Sequence, residues 1–271
     1  MRSQWTVCCA AGLALLVPVL PALAAEGTTL DCLIEPYVTV AVTAPVEAVV
    51  ERMEVERGDL VRKGQVLAIL ESSVDRATLA IARARAETES AIKSGKVRVE
   101  YGNKKVVSSE ELLQQGGISI REVDEARAQR DLSEIGLLEA QENKRQAELE
   151  VQRSEAAVAL RTVTSPIDGV VTERLLSPTE MAKQAPVVKV AQLDPLRVEV
   201  FAPIGLLGRL SVGMTAEVLP EPPIGGVYTA QVTVVDRVVD AASGTFGVRL
   251  ELPNPGYRLP AGLKCKVRLA R

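Results

Sequence analysis

The chain has 271 residues, 47% of them apolar and 3% aromatic, with a formal charge of −3 and no histidine. Without histidine there is no Ser-His-Asp or Cys-His nucleophile and no H-E-x-x-H zinc site. A mildly acidic chain with few aromatics also lacks the basic surface and stacking platforms of a nucleic-acid binder, so no nucleic-acid partner is expected.

In chain order, Arg2 gives a short basic start, Val7 to Leu20 is almost wholly apolar, and Ala22-Leu23-Ala24 forms an A-x-A pattern. This predicts a secretory signal peptide over 1–24, cleaved after Ala24. Pro18 and Pro21 interrupt the run, which falls short of the ~20 residues of a spanning helix. The mature chain keeps two cysteines, Cys32 and Cys265, near its opposite ends. In an oxidising compartment that pair reads as a disulfide, and two buried free thiols are the alternative. A bond would place the first and last strands in one domain.

A split repeat follows. Ala44-Pro45-Val46-Glu47-Ala48-Val49-Val50 parallels Ser165-Pro166-Ile167-Asp168-Gly169-Val170-Val171, an offset of 121 residues. At the same offset, Gly58 to Leu67 runs against Thr179 to Val188, so that Thr179 and Ala185 stand for Gly58 and Gly64. Each half reads as short Val-rich strands separated by turns. Neither half is large enough to bury a core alone, so the two are expected to pair with each other.

Between the halves, 73–161 is proline-free and rich in Ala, Glu, Gln, Arg and Leu. Small or apolar residues recur at three-to-four spacing. The first arm offers Val74, Ala77, Ile81, Ala84, Thr88, Ala91, Gly95, Val99, Gly102 and Val106. The return arm offers Val123, Ala126, Arg130, Ser133, Leu137, Ala140, Lys144, Ala147, Val151, Ser154 and Val158. This is a heptad-like seam of an antiparallel coiled coil. Gly95 and Gly102, each costing about 1 kcal/mol against Ala, mark either a bend or a close crossing. At the turn, Gly116 and Gly117 suit a left-handed helix C-terminus. Ser119 and Glu122 form an S-x-x-E capping box that starts the second arm.

The combination resembles the periplasmic adaptor, or membrane fusion protein, family of bacterial efflux systems. It is carried by Val55 to Ala68, Ser165 to Val171, Leu193-Asp194-Pro195-Leu196, Ser243-Gly244-Thr245-Phe246, Leu252-Pro253-Asn254-Pro255 and Leu259 to Leu263, in that order. The resemblance implies an elongated α+β multidomain fold. A β-barrel joins a split biotinyl/lipoyl-like β-sandwich that is interrupted by the long antiparallel helical hairpin. The expected division is 1–24 signal peptide, 25–42 N-terminal barrel strand, 43–72 first lipoyl-like half, 73–161 hairpin, 162–192 second half and 193–271 barrel. Within it, 37–42 is expected to join the barrel strands, and Cys32 could then meet Cys265 on adjacent strands. The separate membrane-proximal domain of longer adaptors is expected to be absent.

The resemblance further implies a non-enzymatic adaptor in the periplasm with no cofactor and no metal. Its partners would be an inner-membrane transporter of RND or ABC type and an outer-membrane channel, with self-association into a ring, a hexamer by analogy. The hairpin tip, Leu112, Gly116, Gly117 and Ser119, would contact the channel. Leu112 and Ser119 match the family's tip signature, while its arginine position holds Ser108. The alternatives are an exported coiled-coil spacer or assembly protein, and a biotin or lipoyl carrier subunit. The carrier reading conflicts with the insert, which replaces the tight hairpin that presents a modified lysine. A metal-transfer role wants clustered soft ligands, and after Met1 the only methionines are Met53, Met181 and Met214.

Overall fold

The computed structural model describes residues 29–269, and the expected signal peptide lies outside the described residues. In chain order the elements are β1 (Thr29–Thr43), β2 (Ala48–Met53), β3 (Leu60–Val61), β4 (Val66–Leu70), α1 (Ser73–Glu87), α2 (Ser90–Gln114), α3 (Ile120–Ala159) and β5 (Thr162–Thr164). There follow β6 (Gly169–Arg174), β7 (Met181–Ala182), β8 (Pro186–Pro203), β9 (Thr215–Pro220), β10 (Tyr228–Asp240), β11 (Thr245–Leu252) and β12 (Leu263–Leu269). The fold is the mixed one expected, with a barrel, a split sandwich and one long helical hairpin.

Two long strands, β1 and β8, run antiparallel through both β modules and form the spine. In the barrel Cys32 pairs with Val200 and Pro36 with Leu196; in the sandwich Val38 pairs with Gln192 and Val42 with Val188. The register shifts between Pro36 and Val38, where the strands pass from one module to the other. The ring β1-β12-β9-β10-β11-β8 is closed by the β1–β8 pairing, which removes the free edges an open sheet would expose. Its core follows the two-residue period of a strand, with Phe246, Val248, Leu250 and Leu252 of β11 all turned inward.

One expectation is corrected here. The segment 37–42 does not join the barrel, because Val38 to Val42 pair with the sandwich part of β8. The barrel takes only the earlier part of the expected 25–42 strand, where Leu30, Cys32 and Ile34 alternate into the core.

Where β8 leaves the sandwich, three proline-containing stretches meet around Asn254, which is 2% exposed. Its Nδ2 donates to the carbonyl oxygens of Leu193 and Leu259, each at 2.9 Å. Its Oδ1 accepts the Leu259 N–H at 2.9 Å, and its own N–H donates to Asp194 Oδ1 at 2.9 Å. The Leu193-Asp194, Pro253-Asn254 and Leu259-Pro260 stretches are therefore one hydrogen-bonded knot at the foot of the barrel.

The two halves of the repeat do pair, by interleaving. One sheet is β5-β4-β2-β7; the other is formed by β1, β8, β6 and β3. Each half lends its shortest strand to the other's sheet, with identical register: Leu60 opposes Val170 and Val61 opposes Gly169, while Met181 opposes Val49 and Ala182 opposes Ala48.

The offset does not stay constant, however. Val50 pairs with Leu70 and Arg52 with Ile69, while Val171 pairs with Val190 and Glu173 with Lys189. Leu70 therefore corresponds to Val190, an offset one residue shorter. The slip falls in the turn between the short strand and the next, where Gly64 has φ +83° and Gln184 has φ +52°. Gln184, not Ala185, does the work of Gly64, and it adopts the left-handed backbone that glycine takes without a Cβ penalty.

Candidate functional site: the hairpin tip

The hairpin leaves the sandwich from two adjacent strands. Ile69 of β4 opposes Thr162 of β5, and the Leu70 N–H donates to the Arg161 carbonyl at 2.8 Å. Arg161 Nε meets Asp75 Oδ2 at 2.7 Å, joining the bases of the two arms. The 40 residues of α3 extend about 60 Å at 1.5 Å per residue.

Every expected seam position of α3, from Val123 to Val158, is at least partly buried, and so are Gly95, Val99, Gly102 and Val106 of α2. The glycines mark a close crossing. A Cβ at Gly102 would lie 3.1 Å from Arg130 Cα, and one at Gly95 would lie 3.2 Å from Leu137 Cα.

In α1 the expected seam is out of phase, since Val74 and Ile81 are exposed while Leu79, Ala82 and Ala86 turn inward. The arm breaks at Thr88, which is extended at φ −73° and ψ 113°, before α2 begins at Ser90. The break drops one residue from the heptad count between Ala86 and Ile92. Lys144, a charged residue on the α3 seam, faces it. Its Nζ donates to Glu89 Oε1 at 3.0 Å, and this bond holds the Glu89 carboxyl below its ordinary pKa and the Lys144 ammonium above its own.

At the tip, α2 ends in a Schellman motif. The Gly116 N–H donates to the Leu113 carbonyl and the Gly117 N–H to the Leu112 carbonyl, each at 2.9 Å, a pairing that satisfies carbonyls at the helix end. Only Gly116 is left-handed, at φ +78°; a Cβ at Gly117 would meet nothing closer than the Leu112 oxygen at 3.5 Å. Ser119 then starts α3. Its N–H donates to Glu122 Oε2 at 2.7 Å and its hydroxyl to the same oxygen at 2.9 Å. These bonds lower the Glu122 pKa.

Leu112, Gly116, Gly117 and Ser119 thus come together on one turn. Leu112 is 46% exposed, so its carbonyl serves the turn while its side chain is left largely to solvent. Just below, Arg127 Nη2 meets Glu110 Oε1 across the arms at 2.6 Å. Ile120 and Arg121, the first two residues of α3, also project at this end. Sequence reasoning passed over them because they belong to neither the seam nor the caps.

In the barrel, Cys32 lies opposite Cys265 in the β1–β12 register and the two form a disulfide, with Cα atoms 4.9 Å apart. Among the described residues, no helix is long and apolar enough to cross a membrane.

Residues 38–192 match the model of the CzcB-like barrel-sandwich hybrid domain, and residues 197–271 match that of the CusB-like β-barrel domain. The chain belongs to the periplasmic adaptor family of membrane fusion proteins. The adaptor's fold is similar to that of MacA from Actinobacillus actinomycetemcomitans, with a TM-score of 0.74 and 23% identity over 90% of this chain and 80% of that one. It is also similar to the membrane fusion protein Spr0693 from Streptococcus pneumoniae R6, with a TM-score of 0.59 and 16% identity over 90% and 98%. An uncharacterized protein of Haemophilus influenzae is 24% identical over 225 residues, 82% of this chain and 51% of its own length. The adaptor therefore spans about half the length of that curated relative.

Proposed function

We propose that the adaptor links an inner-membrane exporter, of RND or ABC type, to an outer-membrane channel and seals the conduit between them. The observation that carries this reading is the hairpin, a long arm rooted on paired strands and ending in a tip whose Leu112 side chain is 46% exposed. An exposed loop held by a rigid support is where recognition residues concentrate. In this reading Leu112, Gly116, Gly117 and Ser119 meet the channel and the barrel meets the exporter. The sandwiches pack side by side into a ring, a hexamer, through heterologous contacts that close on themselves. The chain couples its partners mechanically and carries out no catalysis. It works in the periplasm after removal of 1–24, a compartment that favours the Cys32–Cys265 disulfide.

Photo-crosslinking in intact cells from a probe at Leu112, with the captured partner identified by mass spectrometry, tests the proposal. Capture of an outer-membrane channel is the expected result. Capture of nothing but further copies of the chain, in well-expressed and exported protein, would overturn channel docking and leave the hairpin as a spacer.

A further inference from the structure

The two helices of the first arm present their seams in different registers. In α2 the residues turned toward α3 are Ile92, Gly95, Val99, Gly102 and Val106, at alternating steps of three and four. Carried back through the break at the same steps, that seam reaches Thr88, Arg85, Ile81, Thr78 and Val74, all of them exposed. The residues of α1 that turn inward are Asp75, Leu79, Ala82 and Ala86, each one place further along the chain. One residue is about 100° of helix rotation at 3.6 residues per turn.

The arm thus carries two heptad seams in one stretch of sequence, one in use and one idle. The used seam covers Leu79 and two alanines. The idle one offers Val74, 72% exposed, and Ile81, 56% exposed, so the apolar surface at stake is similar. Three ion pairs belong to the observed register: Arg161–Asp75 at 2.7 Å, Arg83–Glu155 at 2.8 Å and Lys144–Glu89 at 3.0 Å. Exposed pairs contribute little each. Against them, a helical Thr88 would join α1 to α2 and give the first N–H groups of α2 helical acceptors, which the Glu89 side chain at its N-cap does not supply. At the other end, Glu71 and Ser72 belong to neither β4 nor α1 and can absorb a turn of the helix.

We infer that the first arm is a two-register switch. In its second state α1 turns by one residue about its own axis, Thr88 becomes helical, and Val74, Thr78, Ile81 and Arg85 replace Asp75, Leu79, Ala82 and Ala86 against α3. Packed seams exchange between discrete arrangements rather than deforming continuously. The extended Thr88 uncouples α1 from α2 in the observed state, whereas the joined helix would carry a rotation at the sandwich root through to the tip. The inference concerns the hairpin alone and holds whatever the tip meets.

The test labels single thiols in the purified chain with a maleimide, the native Cys32 and Cys265 being joined in the disulfide. T78C reports on the idle seam and A82C on the used one. With no other change, T78C is expected to react as an exposed helical thiol and A82C about tenfold more slowly, through local protection. L79A/T88A weakens the used seam and favours the joined helix. In that background T78C is expected to slow about tenfold and A82C to speed up, with helical circular dichroism undiminished. Adding V74Q/I81Q removes the idle seam and is expected to restore fast T78C labelling. Fast T78C labelling in L79A/T88A overturns the inference, whether helicity is kept or lost. Slow labelling that persists after V74Q/I81Q also overturns it, because the protection then does not come from the second seam.

Discussion

Replacing Asn254 by alanine removes one side chain and strands groups on two other segments. The amide serves three backbone partners, namely the N–H and carbonyl of Leu259 and the carbonyl of Leu193. Leu259 is itself 1% exposed, so its two groups have no direct route to water. A buried polar group left unpaired costs about 1–3 kcal/mol. Two such groups, with a smaller loss at the half-buried Leu193 carbonyl, bring N254A to about 3–5 kcal/mol, with the lower figure applying if water enters the cavity. For a barrel of this size that is a drop of roughly 15–30 °C in melting temperature. The change is read as thermal unfolding of the purified chain, followed in the β-sheet circular dichroism band. N254D adds a sign test. Its carboxylate keeps the acceptor for Leu259 N–H but turns negative charge on two carbonyl oxygens, so its pKa in the fold is raised. The N254D fold is therefore expected to gain stability as pH falls through that pKa, where wild type does not. An N254A chain that melts within about 3 °C of wild type would refute the claim that this knot holds the barrel's foot together.

Three other outcomes are expected. Removing the disulfide in a C32S/C265S double variant is expected to cost about 2–5 kcal/mol, since the bridge closes a loop of 233 residues and long loops gain most from closure; denaturant unfolding with and without reductant measures it. In the hairpin, G136A is expected to raise helical stability by about 1 kcal/mol, because a Cβ there meets nothing within 4 Å. G102L is expected to lower it by about 1–3 kcal/mol by driving side-chain atoms into the Arg130 backbone; helical circular dichroism melts compare the two. At the tip, the lowered pKa of Glu122 means that its cap is intact above the ordinary carboxylate range near pH 4.5 and is lost as pH falls through the lowered value. Amide protection at Ser119, taken relative to the intrinsic exchange rate, is expected to fall below that range in wild type and to be low at every pH in E122A.

The caps at the tip were legible because each is a local chemical pattern. Ser119 and Glu122 sit at fixed spacing, and Gly116 takes the one backbone conformation that glycine favours. The α3 seam was legible for the same kind of reason, since one uninterrupted helix keeps a single phase from Val123 to Val158. The α1 seam was not. Val74 and Ile81 continue the phase of Gly95 and Val99 on paper, and only the extended backbone at Thr88 lets Leu79 and Ala82 turn inward instead. The sandwich erred similarly. The constant offset of 121 residues set Ala185 against Gly64 and so pointed past Gln184, whose positive φ has no signature in its side chain. The expected barrel strand runs too far, to residue 42, because Tyr37 to Val42 is as strand-like as Leu30 to Ile34. Pairing with β8, a long-range fact, decides which of them faces which core.

The repeat also bears on how the hairpin and the barrel are rooted in this chain. The paired exit of β4 and β5, where the hairpin departs, corresponds in the repeat to the paired stretch of β8 and β1, beyond which the barrel lies. Leu70 answers to Val190, and Thr162 answers to Ala41; their ladders share the same register, since Ile69 opposes Thr162 as Lys189 opposes Ala41. Hairpin and barrel are thus two insertions made at equivalent points of one pseudo-symmetric sandwich, each rooted on its own pair of antiparallel strands. A pull on either module is taken up first by main-chain hydrogen bonds between the two strands that hold it, and then by a core to which both halves contribute. Interleaving makes that core indivisible, because β3 and β7 tie each half into the other's sheet. The proposed role, transmitting position between two partners, would need this kind of support, and the caps and the seam hold the exposed tip in place without calling on the Leu112 side chain.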